Sequence, residues 1–488
     1  MLLSNLNFRS MIRIFGIIIL CIGLIMIIPM MYSAITHDTT SYIGFKRTIT
    51  GTILLGMVIC FTIPNRNVHL KTREGYIVVA ASWVIAIFIS SLPFYFAGVT
   101  ETYVDALFEA TSGLTTTGCT ALANVLPNGL MLWKAMLNWL GGMGILILII
   151  SILPALGING QLIARAEAPG PVMEKVTVRM SDSAKILYLT YFSFTLAEFL
   201  LLLISPKMNA FDAIITTLGS ISTGGILVHP EGIAFYDSVY IEIIISVFCI
   251  LASVNFILYH YLLTKKPGYL FKDIELRAFI VILAGATLVS TFGIMSAYDA
   301  PIGEALRDSF FQVVSMSTTT GYARSAYTVW PAVCQILLIT VMFIGGCGAS
   351  TSGSVKVIRV LVMFKVILRG GIKRLHPRSV VAVKIGGIPF SAPVVSAITV
   401  FILTYMFVFL FSTVVLSLQG LDMSSTASAA LAMLSNTGIG FGETTSVGDF
   451  SCFNPTLKLY LCALMVIGRL EMFPIIVLFT KNFWGKDR

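Results

Sequence analysis

Apolar residues fall along this chain in runs of about 20, separated by short polar stretches, and a helix of that length matches the hydrocarbon core of a bilayer. Ten runs are predicted as membrane spans, near residues 11–33, 43–63, 75–98, 130–154, 184–205, 238–263, 276–298, 327–369, 392–417 and 455–481. The first run is too long for the apolar core of a cleaved leader and reads as a retained span. The eighth is too long for one simple span, and is interrupted at "GGCGASTSGS", Gly345 to Ser354.

A second pattern lies in the polar stretches. Four segments, between spans 3 and 4, 5 and 6, 7 and 8, and 9 and 10, share one plan: a short helix, a Thr/Ser/Gly turn and a polar return. The turns are "TTTGCT" at Gly118, "STGGIL" at Gly225, "TTTGYA" at Gly321 and "SNTGIG" at Gly438. Thirteen residues before each glycine stand Asp105, Asp212, Asp308 and Ser425. Carboxylates there suit the start of a helix, by capping and by the helix dipole. The glycines are spaced 107, 96 and 117 residues apart. This is an internal repeat. It divides the chain into a two-span prefix (1–70) and four units, 71–160, 161–268, 269–385 and 386–488. The fold class expected is an all-α polytopic membrane protein, with four helix–short helix–helix units around one pseudo-fourfold axis.

Composition agrees. The 488 residues are 57% hydrophobic and only 11% charged, against about 25% charged in an average soluble protein. Eight cysteines are scattered without a CxxC and read as small buried hydrophobes, not as disulfides or metal ligands. The net charge of +9 follows topology rather than nucleic-acid binding. Arg9, Arg13, Arg66, Lys71, Arg73, Arg165, Lys175, Arg179, Lys185, Lys265, Lys266, Lys272, Arg277, Lys365, Arg369, Lys373, Arg374, Arg378, Lys384, Lys481, Lys486 and Arg488 fall on one side if every span crosses once. The other side carries few: Lys46, Arg47, Lys207, Arg307, Arg324 and Lys458. The positive-inside rule then places both termini in the cytoplasm and the four turns outside.

Non-helical backbone at membrane depth is tolerated only inside protein or along a water-filled path. Four such turns can converge on one axis. Glycine permits the backbone angles that aim carbonyls inward, and rings of carbonyls replace the hydration shell of a cation. The candidate filter residues are Thr116, Thr117, Gly118, Thr223, Gly224, Gly225, Thr319, Thr320, Gly321, Asn436, Thr437 and Gly438. One such turn alone is ordinary; four at a fixed offset point to a cation filter.

With these loops, the two-span prefix and "NWLGGMGILILIISILPALG" on the page, the chain resembles the pore subunits of the Trk/Ktr/HKT superfamily of potassium transporters, closest to the Trk type, over essentially its whole length. The resemblance implies potassium uptake across a bacterial cytoplasmic membrane, with potassium held at the filter residues and no organic cofactor in this chain. It implies a homodimer and a cytosolic regulatory subunit binding a nucleotide of the NAD or ATP type. In related plant transporters a serine at the first filter glycine goes with sodium transport, so Gly118 argues for potassium. The resemblance also makes Gly345, Gly346, Gly348, Ala349, Ser350, Thr351, Ser352 and Gly353 a gate loop under the filter. The bland alternative is a close-packing helix surface of small residues, but four glycines in ten residues weaken a helix. Helix is expected to resume at Val355. Arg469, midway along the last predicted span, is costly there and should face protein or water. The resemblance places it in the path below the filter, as a barrier or a latch for the gate loop.

Other features are weaker. Glu198 sits within the fifth span and reads as a packing or hydrogen-bonding carboxylate. Outer acids, among them Glu109, Glu231, Asp237, Glu304, Glu443 and Asp449, can raise cation concentration at the mouth. The basic inner loops 155–183, 264–275 and 369–391 can dock a partner or touch anionic membrane lipid. There is no phosphate-binding loop, dinucleotide fingerprint or HExxH, and no histidine pair with ligand spacing, so no enzyme is expected. Two rivals remain: an ion-coupled secondary transporter, and a receptor or scaffold without transport.

Overall fold

The computed structural model describes residues 7–63, 72–144, 180–263, 268–442, 448–480 and 483. The chain is mostly helical. Six of the described helices are long and apolar enough to cross a membrane, or seven if a bent pair counts as one. Residues 130–144 of the fourth predicted span are described, within the helix Asn128–Gly142 and just past it; 145–154 lie outside the described residues, as do 155–179 of the basic loop 155–183 and Glu443.

The prefix is two helical spans. The first, Phe8–Ile35, has one irregularity at Met26; the second, Thr39–Thr62, starts on Asp38, whose carboxylate accepts from the Ser41 amide at 3.1 Å. Small residues let them approach closely. A Cβ on Gly16 would lie 2.6 Å from Ile59 Cγ2, and one on Gly56 2.5 Å from Leu20 Cγ.

Four times thereafter a long helix leads to a short one. The pairs are Thr72–Phe96 with Tyr103–Leu114, Met180–Leu203 with Ala210–Ile221, Ile274–Tyr298 with Ile302–Ser317, and Ala392–Ser417 with Met423–Ser435. After each loop a second helix follows: Asn128–Gly142, Val239–Ser253, Ala332–Ile344 and Pro455–Arg469. The short helices start much as the carboxylates suggested. Thr102 and Asp105 form a reciprocal capping box, Asn209 accepts from the Asp212 amide, and Asp422 accepts from the amides of Ser424 and Ser425. The third differs. It begins after Pro301, so Asp308 lies in its second turn, and pairs with Arg324 instead of serving the helix start.

Three second helices break, more than the apolar pattern showed. The sixth predicted span bends by 94° between Ser253 and Phe256. The eighth breaks as expected, but helix resumes at Val357, two residues later than predicted, and runs to Leu375. The tenth is not one helix. It ends at Arg469, and Glu471 and Met472 take positive φ of 53° and 63° before short helical turns at Phe473–Ile476 and Val477–Phe479. Arg469 is therefore a helix end, not a mid-helix residue. One small departure from all-α is a two-stranded ribbon, Lys384–Ile385 against Ile388–Pro389. Gly386 and Gly387 turn it with φ of 61° and 78°, the left-handed pair that tight hairpins need.

Candidate functional site

The four loops are anchored identically. In each, the amide of the loop glycine and the amide before it both bond to one carbonyl six residues before the glycine, at the end of the loop's own short helix. Thr117 and Gly118 donate to Ser112 at 2.9 and 3.3 Å, Gly224 and Gly225 to Gly219 at 2.8 and 3.3 Å, Thr320 and Gly321 to Ser315 at 2.9 and 3.4 Å, and Thr437 and Gly438 to Ala432 at 2.9 and 3.3 Å. Two residues before each glycine the chain is left-handed: Thr116 φ 56°, Thr223 φ 55°, Thr319 φ 57°, Asn436 φ 57°. That conformation is strained for a β-branched threonine and easy for asparagine. Asn436, which stands where the other three loops have threonine, is the residue type its backbone angle prefers.

The amides are thus consumed inside each unit, and the carbonyls are left. Of the three residues ending at the glycine in each loop, only Gly224 has a carbonyl that accepts a hydrogen bond among the described residues, from Asn138 Nδ2 at 2.9 Å. Yet these residues are buried, except half-buried Gly118. Buried carbonyls are normally paired.

The loops also close on one another. A Cβ on Gly118 would meet the Gly224 carbonyl oxygen at 1.8 Å, on Gly225 that of Thr320 at 1.9 Å, on Gly321 that of Thr437 at 2.0 Å, and on Gly438 that of Thr117 at 1.8 Å. First touches second, second third, third fourth and fourth first. The contacts form a ring in chain order. Only glycine fits, since the obstacle is backbone and φ is positive.

The break Gly345–Lys356 reaches this ring from another direction. The Gly353 amide donates to Thr319 Oγ1 at 2.7 Å, and a Cβ on Gly353 would sit 2.0 Å from the Ser435 carbonyl. Thr351 donates through its hydroxyl to Ala252 at 3.0 Å and through its amide to the same carbonyl at 3.2 Å. Cys347 donates to the Ser253 carbonyl at 2.9 Å. Arg469 spans the structure here. Its guanidinium donates to the Thr351 carbonyl at 2.9 Å, to that of Gly142 at 2.6 Å and to that of Gly141. It therefore ties the break to the C-terminal end of the helix Asn128–Gly142.

This chain matches the family described as "TrkH: Cation transport protein" over residues 44–486. The chain belongs to the TrkH family. It is 36% identical to the Trk system potassium uptake protein TrkH of Escherichia coli strain K12, over 98% of this chain and all of that one. It is 32% identical to the Trk system potassium uptake protein TrkG of the same strain, over 94% of this chain and 95% of that one. The crystal structure of the potassium transporter TrkH from Vibrio parahaemolyticus superposes with a TM-score of 0.88 at 33% identity, covering 98% of this chain and all of that one. The family is one of transport proteins.

Within this TrkH-family fold, several working residues were not legible beforehand. Buried Lys134 donates to Glu109 Oε2 at 2.6 Å and to the Cys119 carbonyl at 2.8 Å, just past Gly118. Glu109, read as an outer acid, faces inward and also accepts from Thr120 Oγ1 at 2.8 Å and the Ala121 amide at 2.7 Å. Asp105 pairs with Lys458 at 2.6 Å, joining the first unit to the fourth. Hydroxyl pairs brace three loops: Thr115 with Thr117, Thr318 with Thr320, and Ser435 with Thr437, at 2.7–2.8 Å. The second loop has Gly224 at that position, and a Cβ there would meet Asn138 Nδ2 at 2.4 Å. Asn138 thus fills the missing side chain's place. Glu198 accepts from Ser220 Oγ at 2.5 Å, as its packing reading implied. At the outer end of the fourth short helix, donors on Ser424 and Ser425 hold the Asp422 carboxyl below its usual range. Among the described residues no three His, Cys, Asp or Glu side chains gather as they would to hold a metal ion.

Proposed function

We propose that this chain is the ion-translocating subunit of a Trk-type potassium-uptake system in a bacterial cytoplasmic membrane. On this reading the chain is a two-span prefix and four units around one path. The four loops are the selectivity filter and the break Gly345–Lys356 is the gate. The observation that carries it is the ring of loop carbonyls, nearly all buried, of which only that of Gly224 accepts a hydrogen bond among the described residues while the amides are all committed. Such oxygens replace the water around a cation as it enters. The four short helices end at the loops, and their negative ends favour a cation beneath. Movement inward is driven by the membrane potential, about 2.3 kcal/mol per charge per 100 mV. The relatives are potassium uptake proteins, and with Gly118 they support potassium as the cargo. Arg469, bonded to the gate loop's Thr351 carbonyl, supports the latch role over that of a free charge in the path.

Both termini lie in the cytoplasm on the charge bias of the loops. The family resemblance adds a homodimer and a nucleotide-binding regulator, which the exposed basic residues Lys373, Arg374 and Arg378 suit. The test is cation flux into liposomes under an inside-negative potential, with the regulator added. Potassium and rubidium should enter in preference to sodium, and Gly118→Ser should lower that preference. Flux indifferent to Gly118→Ser would remove the filter assignment. One observation favours an ion-coupled transporter instead: the 94° bend in the second unit, since broken helices serve alternating access. Single-channel currents, absent in a coupled transporter, separate the two.

A further inference from the structure

Glu275 stands at the start of the third unit's long helix, where nothing in the filter requires a carboxylate. It is buried, and its Oε1 accepts two backbone amides from different pieces of chain: Gly348 of the break at 2.7 Å, and Ile358 at 3.0 Å. Ile358 is the second residue of the helix Val357–Leu375. That helix is the one described element running directly from the break to the basic, exposed residues Lys373 and Arg374.

We infer that Glu275 is a positioning residue that couples the helix Val357–Leu375 to the gate loop; the inference rests on the gate reading given above. The geometry is simple. One oxygen holds both the start of the helix and the entrance of the loop. If the helix shifts and the carboxylate follows its amide, Gly348 loses its anchor. The helix start favours the carboxylate through its dipole as well as its amide, so the helix end is the stronger claimant. Two direct contacts lie at the same junction: the amide of Val357, the first helix residue, donates to the Gly346 carbonyl at 3.0 Å, and Lys356, which precedes the helix, donates through its side chain to the Ser352 carbonyl. Arg469 holds the Thr351 carbonyl of the loop. Arg359, one residue beyond Ile358, is fixed separately by Glu471 and lies 4.0 Å over the Phe401 ring. Glu275 adds to these a side chain from another element, whose one oxygen takes an amide from the loop and an amide from the helix.

The natural reporter is Cys347, buried in the loop beside Gly348. In a background where the other cysteines are replaced, its labelling by a small thiol reagent is measured alongside potassium flux, without the regulator. Glu275→Ala should raise both the labelling rate and the flux about tenfold, the scale of one buried charge-assisted hydrogen bond, with the potassium-to-sodium ratio unchanged. Glu275→Gln, which keeps an acceptor oxygen, should stay within about twofold of the parent. Equal labelling and flux in Glu275→Ala and the parent would overturn the inference. A second variant covers the case in which Glu275→Ala does not fold. Glu275→Cys with Gly348→Cys, on a Cys347→Ser background, is bridged by a short bifunctional thiol reagent. Bridging should block regulator-stimulated flux, and reduction should restore it. Full stimulated flux through the bridged protein would likewise overturn the coupling. If the parent conducts no potassium even with its regulator, the transport reading fails instead, and Cys347 labelling still reports whether Glu275 holds the loop.

Discussion

The four Thr/Ser/Gly loops and the break Gly345–Lys356 are built of the same small residues, but they are held in different ways. Each loop is tied to its own short helix by amide bonds that recur in all four units, and each glycine abuts the next loop's backbone. The break is closed at its base by local bonds, from the amides of Val355, Lys356 and Val357 to the carbonyls of Phe343, Ile344 and Gly346, but its middle is held by distant elements as well: Ala252 and Ser253 of the second unit, Thr319, Glu275 and the reach of Arg469. A segment fastened locally keeps its shape whatever its neighbours do. A segment fastened by neighbours is released when they move. Rigidity suits selection and dependence suits gating.

That contrast can be broken first at the glycines. Gly321→Ala would drive a Cβ to 2.0 Å from the Thr437 carbonyl, at φ 80°. The backbone must shift, at about 1–3 kcal/mol of strain for the angle alone. Potassium flux should fall more than tenfold or lose its preference over sodium, as relative permeabilities in liposomes would reveal. Unchanged selectivity would mean that the loops are not the rigid part.

Next comes the proposed latch. Arg469→Ala removes donors to three carbonyls, those of Thr351, Gly141 and Gly142. Flux without the regulator should rise about tenfold, taking charge-assisted bonds at about 1.5–3 kcal/mol each, partly offset by water. Filter selectivity should not change. A rise in flux accompanied by lost selectivity would show that break and filter are one mechanical unit.

A subtler change lies in the second loop, which Asn138 of the first unit braces. Asn138→Ala removes the donor to the Gly224 carbonyl and leaves room beside it. The ratio of rubidium to potassium flux should shift severalfold, with a stability loss of about 1–2 kcal/mol seen in thermal unfolding. Ser112→Ala, which frees the Cys119 carbonyl from one donor while Lys134 keeps the other, should do less.

The smallest effect is at Asp422. Its folded carboxyl titrates below the ordinary value of 3.8, so the stability it adds is present above that pH and is lost as pH falls through the folded value. The melting temperature of Asp422→Asn should therefore lie slightly below the parent's near neutrality. The gap should close in acid below about pH 3.8.

Much of this was legible because it is local. Runs of apolar residues set where helices cross, and four glycines at a common offset from the helix start marked the loops. The cluster Gly345–Ser354 announced a broken helix. What escaped was of two kinds. Breaks at Ser253–Phe256 and after Arg469 occur in apolar or mixed stretches where neighbouring units, not propensity, decide whether a helix continues. The signal available was small: Ser253 and Asn255 within an apolar run. The third short helix was misplaced at its start because Pro301, not Asp308, begins it.

The second kind was pairing. Lys134 with Glu109, Lys458 with Asp105, Asn138 with Gly224 and Glu275 with Gly348 join residues between 25 and 353 positions apart. By itself the sequence determined the membrane character, the repeat and the four left-handed glycine turns, because each depends on composition or on backbone angles within a few residues. Only the tertiary structure decided that the turns close into a ring, and which buried charges hold the break. Those outcomes depend on which helices pack side by side, and a buried polar group is satisfied by whatever partner that packing delivers.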